Sequence, residues 1–189
     1  MARTTGKADS LISLKVTLRN IRPPVWRRLL MPDSMTLGDL HLAIQAAMGW
    51  EGYHLHLFDI DGRQYGEPHS VDDVADEQRL TLTALVKSGV ARFSYTYDFG
   101  DNWKHSVVIE RKYPPADASL YPACVAGKRN CPPEDCGGPW GYQRLLAILA
   151  DPDHPEHADD IEWFGEDLDS EEFSVIATDA IIAARFGRP

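Results

Sequence analysis

Two histidines two residues apart, His54 and His56, are the most direct metal-binding signal in this chain. On an extended strand that spacing projects both imidazoles from one face, where two ring nitrogens can meet one ion. Phe58 and Ile60 continue the same face, so the competing reading is a partly buried pair satisfied by backbone or carboxylate. A second set, Cys124, Cys131 and Cys136, has spacings of seven and five residues. Three is an odd number for a disulfide framework. Three thiolates with a histidine would complete a tetrahedral zinc site and keep an irregular loop ordered. The set contains no Cys-x-x-Cys knuckle, and buried, reduced thiols are the alternative. Glu134 and Asp135, between the last two cysteines, would supply a carboxylate ligand or cap the helix that follows.

The stretch from Phe93 to Ile109 alternates apolar and polar residues on both sides of Gly100-Asp101-Asn102. A three-residue loop there would align the two apolar faces, pairing Phe99 with Trp103 and Tyr97 with His105. It would also set Arg92 opposite Glu110 and Asp98 opposite Lys104. In this register Asp98 and His105, which could otherwise act as an acid–base couple, fall on opposite faces and do not touch. Asp101 orders the turn. Gly137-Gly138-Pro139-Trp140-Gly141 makes a tight entry to a helix, with Trp140 as its anchor, and lacks the lysine and hydroxyl of a phosphate loop. Asp98, Asp101, Trp103, His105, Glu134, Asp135 and Trp140 mark the expected binding surface, although Trp103, like Tyr95 and Tyr97, reads by default as a core aromatic.

Arg22, Arg27 and Arg28 beside Trp26 form the best basic–aromatic cluster and the candidate site for an anion or nucleic acid. Charge is distributed unevenly around it. From Asp151 to Glu172 there are eleven carboxylates and no Lys or Arg, whereas Met1 to Met31 holds seven cations against Asp9 alone. The favoured reading therefore pairs the arginines with the acidic stretch. The net charge of −10 argues against tight nonspecific DNA binding. No run of eighteen apolar residues occurs, and Met1 to Lys7 lacks the apolar stretch of a signal peptide, so a cytoplasmic location without membrane association is expected.

The elements that must position these residues can be read from periodicity. Residues 11 to 19 and Val25 to Met31 form a hairpin, and Thr36-Leu37-Gly38-Asp39 caps a helix whose apolar face includes Leu40, His41, Ile44 and Met48. His54 to Ile60 is a strand, residues 66 to 78 a loop, and Leu80 to Val86 a short turn or strand. The order predicts an α+β fold with a curved, mainly antiparallel sheet, β-grasp-like at its start in the manner of an α/β roll, and C-terminal helices. One domain is expected: a sheet-rich core over 1–112, a Cys/Pro/Gly loop over 113–139, and a helical acidic part over 140–189.

Ile21 to Arg28, Tyr97 to His105 and Cys131 to Tyr142, together with Thr36 to His41, Met48-Gly49-Trp50, His54-Leu55-His56 and Asp151 to His157, resemble the plasmid pRiA4b ORF-3-like family over nearly the whole chain. The resemblance implies a protein of plasmids, transposons and chromosomes, of the kind labelled transposon-passenger or TnpR-like. It brings no catalytic residue or cofactor, and the serines here lack the arginine-rich setting of a serine recombinase. The expected role is an accessory or binding protein with a protein partner, working through the Cys-Pro-Gly loop beside the aromatic hairpin. The alternatives are a metal-dependent, hydrolytic enzyme using His54 and His56, with zinc as the implied metal, and a nucleic-acid-binding accessory protein of a mobile element.

Overall fold

Alternation in the first fifty residues builds the centre of the molecule. The computed structural model describes residues 9–71, 73–115, 117–165 and 168–188. Strands β1 (Ser10–Leu18) and β2 (Trp26–Pro32) pair antiparallel, and helix α1 (Leu37–Met48) follows. The capping box is present: the Thr36 hydroxyl accepts the Asp39 amide and the Asp39 carboxylate accepts the Thr36 amide. Gly49 closes α1 in the left-handed conformation, at φ 81°. Strands β3 (His56–Ile60), β4 (Arg63–Gly66) and the two-residue β5 (Ala75–Asp76) come next, then α2 (Leu82–Lys87), where a turn or strand was predicted. The Thr81 hydroxyl, accepting the Ala84 amide, supplies the cap that starts this helix.

The aromatic hairpin is β6 (Arg92–Tyr97) and β7 (Trp103–Pro115); β8 (Ala123–Lys128), α3 (Gly138–Leu149), α4 (His157–Phe164) and α5 (Val175–Phe186) complete the chain. The result is an α+β fold on one eight-stranded, mostly antiparallel open sheet, in the order β5-β4-β3-β6-β7-β1-β2-β8, with the helices of the last third as expected. Only β4 and β5 run parallel. Helix α5 packs against α1 and β8.

The hairpin register differs from the sequence-based one by two residues. Tyr97 faces Trp103, Tyr95 faces His105 and Phe93 faces Val107, so the connection is the five-residue turn Asp98–Asn102. Asp98 and Asn102 both take left-handed backbone, at φ 56° and 57°, which ends the ladder before Phe99. The Gly100 amide donates to Asp98 Oδ1 at 2.8 Å and the Asn102 amide to the Asp98 carbonyl at 2.6 Å. Because the slip is two residues, every side chain keeps its face. The charge matches do not survive: Arg92 faces Val108, Thr96 rather than Asp98 faces Lys104, and Glu110 is held by Arg28 at 2.7 and 3.0 Å and by Ser13.

The arginine cluster is likewise dispersed. Arg27 is 3% exposed. It donates to the carbonyls of Ala47, Trp26 and Lys128 and lies 4.3 Å over the Phe173 ring. It is a core strut and cannot meet a phosphate. Arg28 takes its carboxylate from the sheet rather than from the acidic stretch, which reaches basic partners instead through Glu171 with Arg129 at 2.6 Å and Glu156 with Arg144.

Tyr95, wholly buried, is the polar pivot of the core. Its hydroxyl receives the Gln45 amide at 2.8 Å and meets His41 Nδ1 at 2.8 Å. Tyr95→Phe leaves the Gln45 side chain, whose Oε1 already lacks a partner, without its remaining hydrogen bond. A loss of about 1–3 kcal/mol is expected, read as a lower urea midpoint at unchanged denaturant slope.

Candidate cation site and adjoining cleft

The irregular loop is fastened to the hairpin by groups from both. Tyr97, at the end of β6, donates its hydroxyl to Glu134 Oε1, and the Glu51 amide donates to Oε2 at 3.0 Å. Burial, followed by this hydrogen bond, raises the Tyr97 pKa. The Trp50 indole stacks on Tyr97 with ring centroids 5.1 Å apart and donates to the Pro132 carbonyl at 2.9 Å. Beyond it the Gly137 amide donates to Asp101 Oδ2 at 3.2 Å. The glycines here are steric requirements. Gly138 sits at φ 67°, where an added Cβ would lie 2.3 Å from the Asp101 carbonyl oxygen, and one on Gly141 would lie 1.8 Å from that of Cys136.

This fastening gathers residues that sequence reasoning kept apart. His54 Nε2 lies 3.2 Å from Asp135 Oδ1 and 3.8 Å from Asp98 Oδ2. Among the described residues these three form the one group of three ligating side chains whose donor atoms fall within 4.8 Å of one another. His56 is not part of it. Strand β3 begins at His56 rather than His54, so the two imidazoles do not share a strand face. His56 Nε2 instead meets Glu77 at 2.8 Å, and its ring stacks on His41 at 3.6 Å. The role of Asp98 was hidden by the assumption that it stays in the ladder. The readable signal was the run Asp98-Phe99-Gly100-Asp101-Asn102, rich in residues that tolerate left-handed backbone.

The cysteines are free, buried thiols of the core, and among the described residues they do not gather into a group of three ligating side chains. Cys131 Sγ lies 3.0 Å from Met48 Sδ and 3.9 Å from Arg27 Nη2, while the Cys124 thiol donates to the Ala126 carbonyl at 3.6 Å. Burial pushes all three up, Cys131 to about 11 and Cys136 to about 12. Trp103 and His105 are wholly buried and so lie beneath the expected binding surface rather than on it. His105 takes no contact from Asp98; its Nδ1 is 3.4 Å from the Tyr95 carbonyl and its Nε2 has no partner.

Beside the group of His54, Asp98 and Asp135 is a cleft of about 790 Å³ bordered by Arg22, Gly100, Asp101, Asn102, Trp140 and Gln143. It joins the β1–β2 connection, the hairpin tip and the start of α3. Trp140 is 83% exposed there. Among the described residues no carboxylate pairs with Arg22. At the start of helix α3 the N-cap is a glycine, and the Asp101 carboxylate, which also borders the cleft, accepts its amide. The stretches from Ile21, from Tyr97 and from Cys131 thus meet in one place.

Comparison with known proteins extends this convergence to the whole chain, because residues 10–177 match the profile of the plasmid pRiA4b ORF-3-like proteins. The chain belongs to that family. This ORF-3-like protein is 44% identical over 165 residues to the uncharacterized protein y4hQ of Sinorhizobium fredii (strain NBRC 101917 / NGR234), covering 85% of this chain and 84% of the relative. It is also similar to the crystal structure of MM3350 from Methanosarcina mazei Go1, a protein of unknown function, with a TM-score of 0.83 and 39% identity over 90% of this chain and 98% of that one. No activity accompanies either relative. Among the described residues of the ORF-3-like chain no helix is long and apolar enough to cross a membrane.

The buried histidines give the fold a pH dependence. Burial lowers His41 to about 3, with His56 and Arg185 adding to the effect, and burial lowers His105 to about 4. In the unfolded chain both titrate near the ordinary value of about 6.5. Between that value and their folded values the unfolded chain binds protons that the folded one refuses, so stability is complete above about pH 6.5 and falls as pH drops toward 4. The urea midpoint should decrease from pH 7 to pH 5, above most carboxylate titrations, and decrease less in His105→Phe.

Proposed function

We propose that this protein is an accessory binding protein of mobile elements, TnpR-like only in association, which acts in the cytoplasm by holding a protein partner in the cleft beside the hairpin tip. The observation that carries the reading is an exposed tryptophan next to an unpaired arginine in a concave, mostly polar setting. Tryptophan and arginine are the residue types that dominate binding energy at protein interfaces, Trp as a rigid apolar anchor and Arg as a planar fork for carboxylates. The partner surface that fits is an acidic segment carrying an apolar side chain: the carboxylate would engage Arg22, and the apolar group would cover the Trp140 indole.

Nucleic acid is the less favoured occupant. Arg27 is buried and Arg28 is engaged by Glu110, which leaves Arg22 alone of the three arginines. One cation cannot supply the phosphate contacts that hold a strand on a protein of net charge −10.

Both proposed contacts are exposed, so they can be removed without disturbing the core. Affinity capture from the source cells with wild type, Trp140→Ala and Arg22→Glu should yield a protein retained by the first and reduced at least about ten-fold with either variant. The Arg22 contribution should weaken as salt rises. Capture of the same proteins by all three forms would rule the cleft out as the working surface.

A further inference from the structure

We infer that His54, Asp98 and Asp135 form a binding site for a first-row divalent transition-metal ion, which locks the Cys-Pro-Gly loop to the hairpin turn. The site needs no partner in the cleft. Asp98 is 7% exposed, and among the described residues neither Lys nor Arg is paired with it. A carboxylate taken that far from water needs a cation close by. Asp98 Oδ1 is occupied by the Gly100 amide, and Oδ2 is the oxygen turned to His54.

Two cations could meet the demand, a protonated His54 or a metal ion, and geometry separates them. His54 Nε2 is shielded from solvent and has no hydrogen-bond partner, although Asp135 Oδ1 is only 3.2 Å away. The contact fails as a hydrogen bond on alignment rather than on distance. An imidazolium bridging two carboxylates would direct its N–H at one of them. Donors that instead aim at a common centre need no mutual alignment. Nitrogen and oxygen ligands about 2.0–2.2 Å from a tetrahedral ion lie about 3.3–3.6 Å from one another. The separations of 3.2 and 3.8 Å bracket that range.

One imidazole and two carboxylates suit Zn²⁺, Co²⁺ or Mn²⁺ better than Ca²⁺ or Mg²⁺, which prefer all-oxygen sets. The Asp135 side chain is 66% exposed, which opens the site to exchange with solvent. The Tyr97–Glu134 hydrogen bond and the edge contact of the His54 and Tyr97 rings, 5.7 Å between centroids, fix the neighbouring groups. An ion here would bridge the segment leading into β3, the turn after β6 and the loop before α3.

Titration of the chelator-treated protein with Co²⁺, followed by absorption spectroscopy, tests the assignment. Saturation near one ion per chain is expected, with the visible d–d bands of a tetrahedral nitrogen–oxygen site and no intense near-ultraviolet thiolate band, and Zn²⁺ should displace the cobalt. Asp135→Asn, at an exposed position, and Asp98→Asn, which keeps the oxygen that caps Gly100 and tolerates left-handed backbone, should each weaken binding more than about ten-fold. His54→Ala should do the same. Absence of Co²⁺ binding, a thiolate band, or affinity unchanged in Asp135→Asn would each overturn the proposal.

Discussion

The joint between Tyr97 and Glu134 carries the organisation of this molecule's working end. Tyr97 is the last residue of β6, wedged between the Trp50 ring and the bend that follows it, so its hydroxyl emerges at a fixed point on the sheet. Glu134 brings to that point a loop with little backbone pairing of its own. Once it is held, Pro132 reaches the Trp50 indole, Asp135 comes against His54, and Gly137 reaches Asp101. A segment with so little regular structure loses much conformational entropy on ordering, and these few contacts must offset it. The absence of a Cβ at Gly138 and Gly141 permits the final approach.

The core beneath is unusual for the number of ring nitrogens and hydroxyls it encloses. His41, His56, Glu77, Gln45, Tyr95 and His105 form a nearly continuous polar seam under α1, rimmed by Phe58, Trp50 and Trp103. Such a seam costs solvation and returns it only where partners are aligned. His56 with Glu77 is aligned; Gln45 Oε1, His105 Nε2 and the Trp103 indole nitrogen are not. The seam limits how α1 can slide on the sheet, because a shifted helix would break the His41 and Gln45 contacts together.

Much of this was legible in the residues. The capping box at Thr36, the hairpin that precedes it, the faces of the aromatic strands and the helix at Trp140 follow from local pattern, and the α+β fold follows from their order. What escaped was set by single backbone conformations or by contacts far apart in sequence. Asp98 reads as one more alternating strand residue, and only its left-handed φ shows that the ladder stops before it. His54 and His56 look like a pair because alternation cannot say where a strand begins. Arg27 looks like a surface cation, yet its guanidinium is buried against carbonyls of Ala47 and Lys128, twenty and a hundred and one residues away. No local pattern could place Asp135 beside His54, since that contact depends on how a long loop lies down.

The strand order has a further consequence at its two ends. On one side the sheet stops at β5, two residues long and so too short to template another strand. On the other it stops at β8, where the Cys124 amide is taken by Asp179 of α5 and the Asn130 amide by the Ser170 carbonyl. Open sheets with free edges recruit strands from neighbouring molecules. Here one edge is blunted and the other is shielded by the C-terminal helix, so the eight-stranded sheet resists growing by strand addition, and loss of α5 would convert β8 into an adhesive edge.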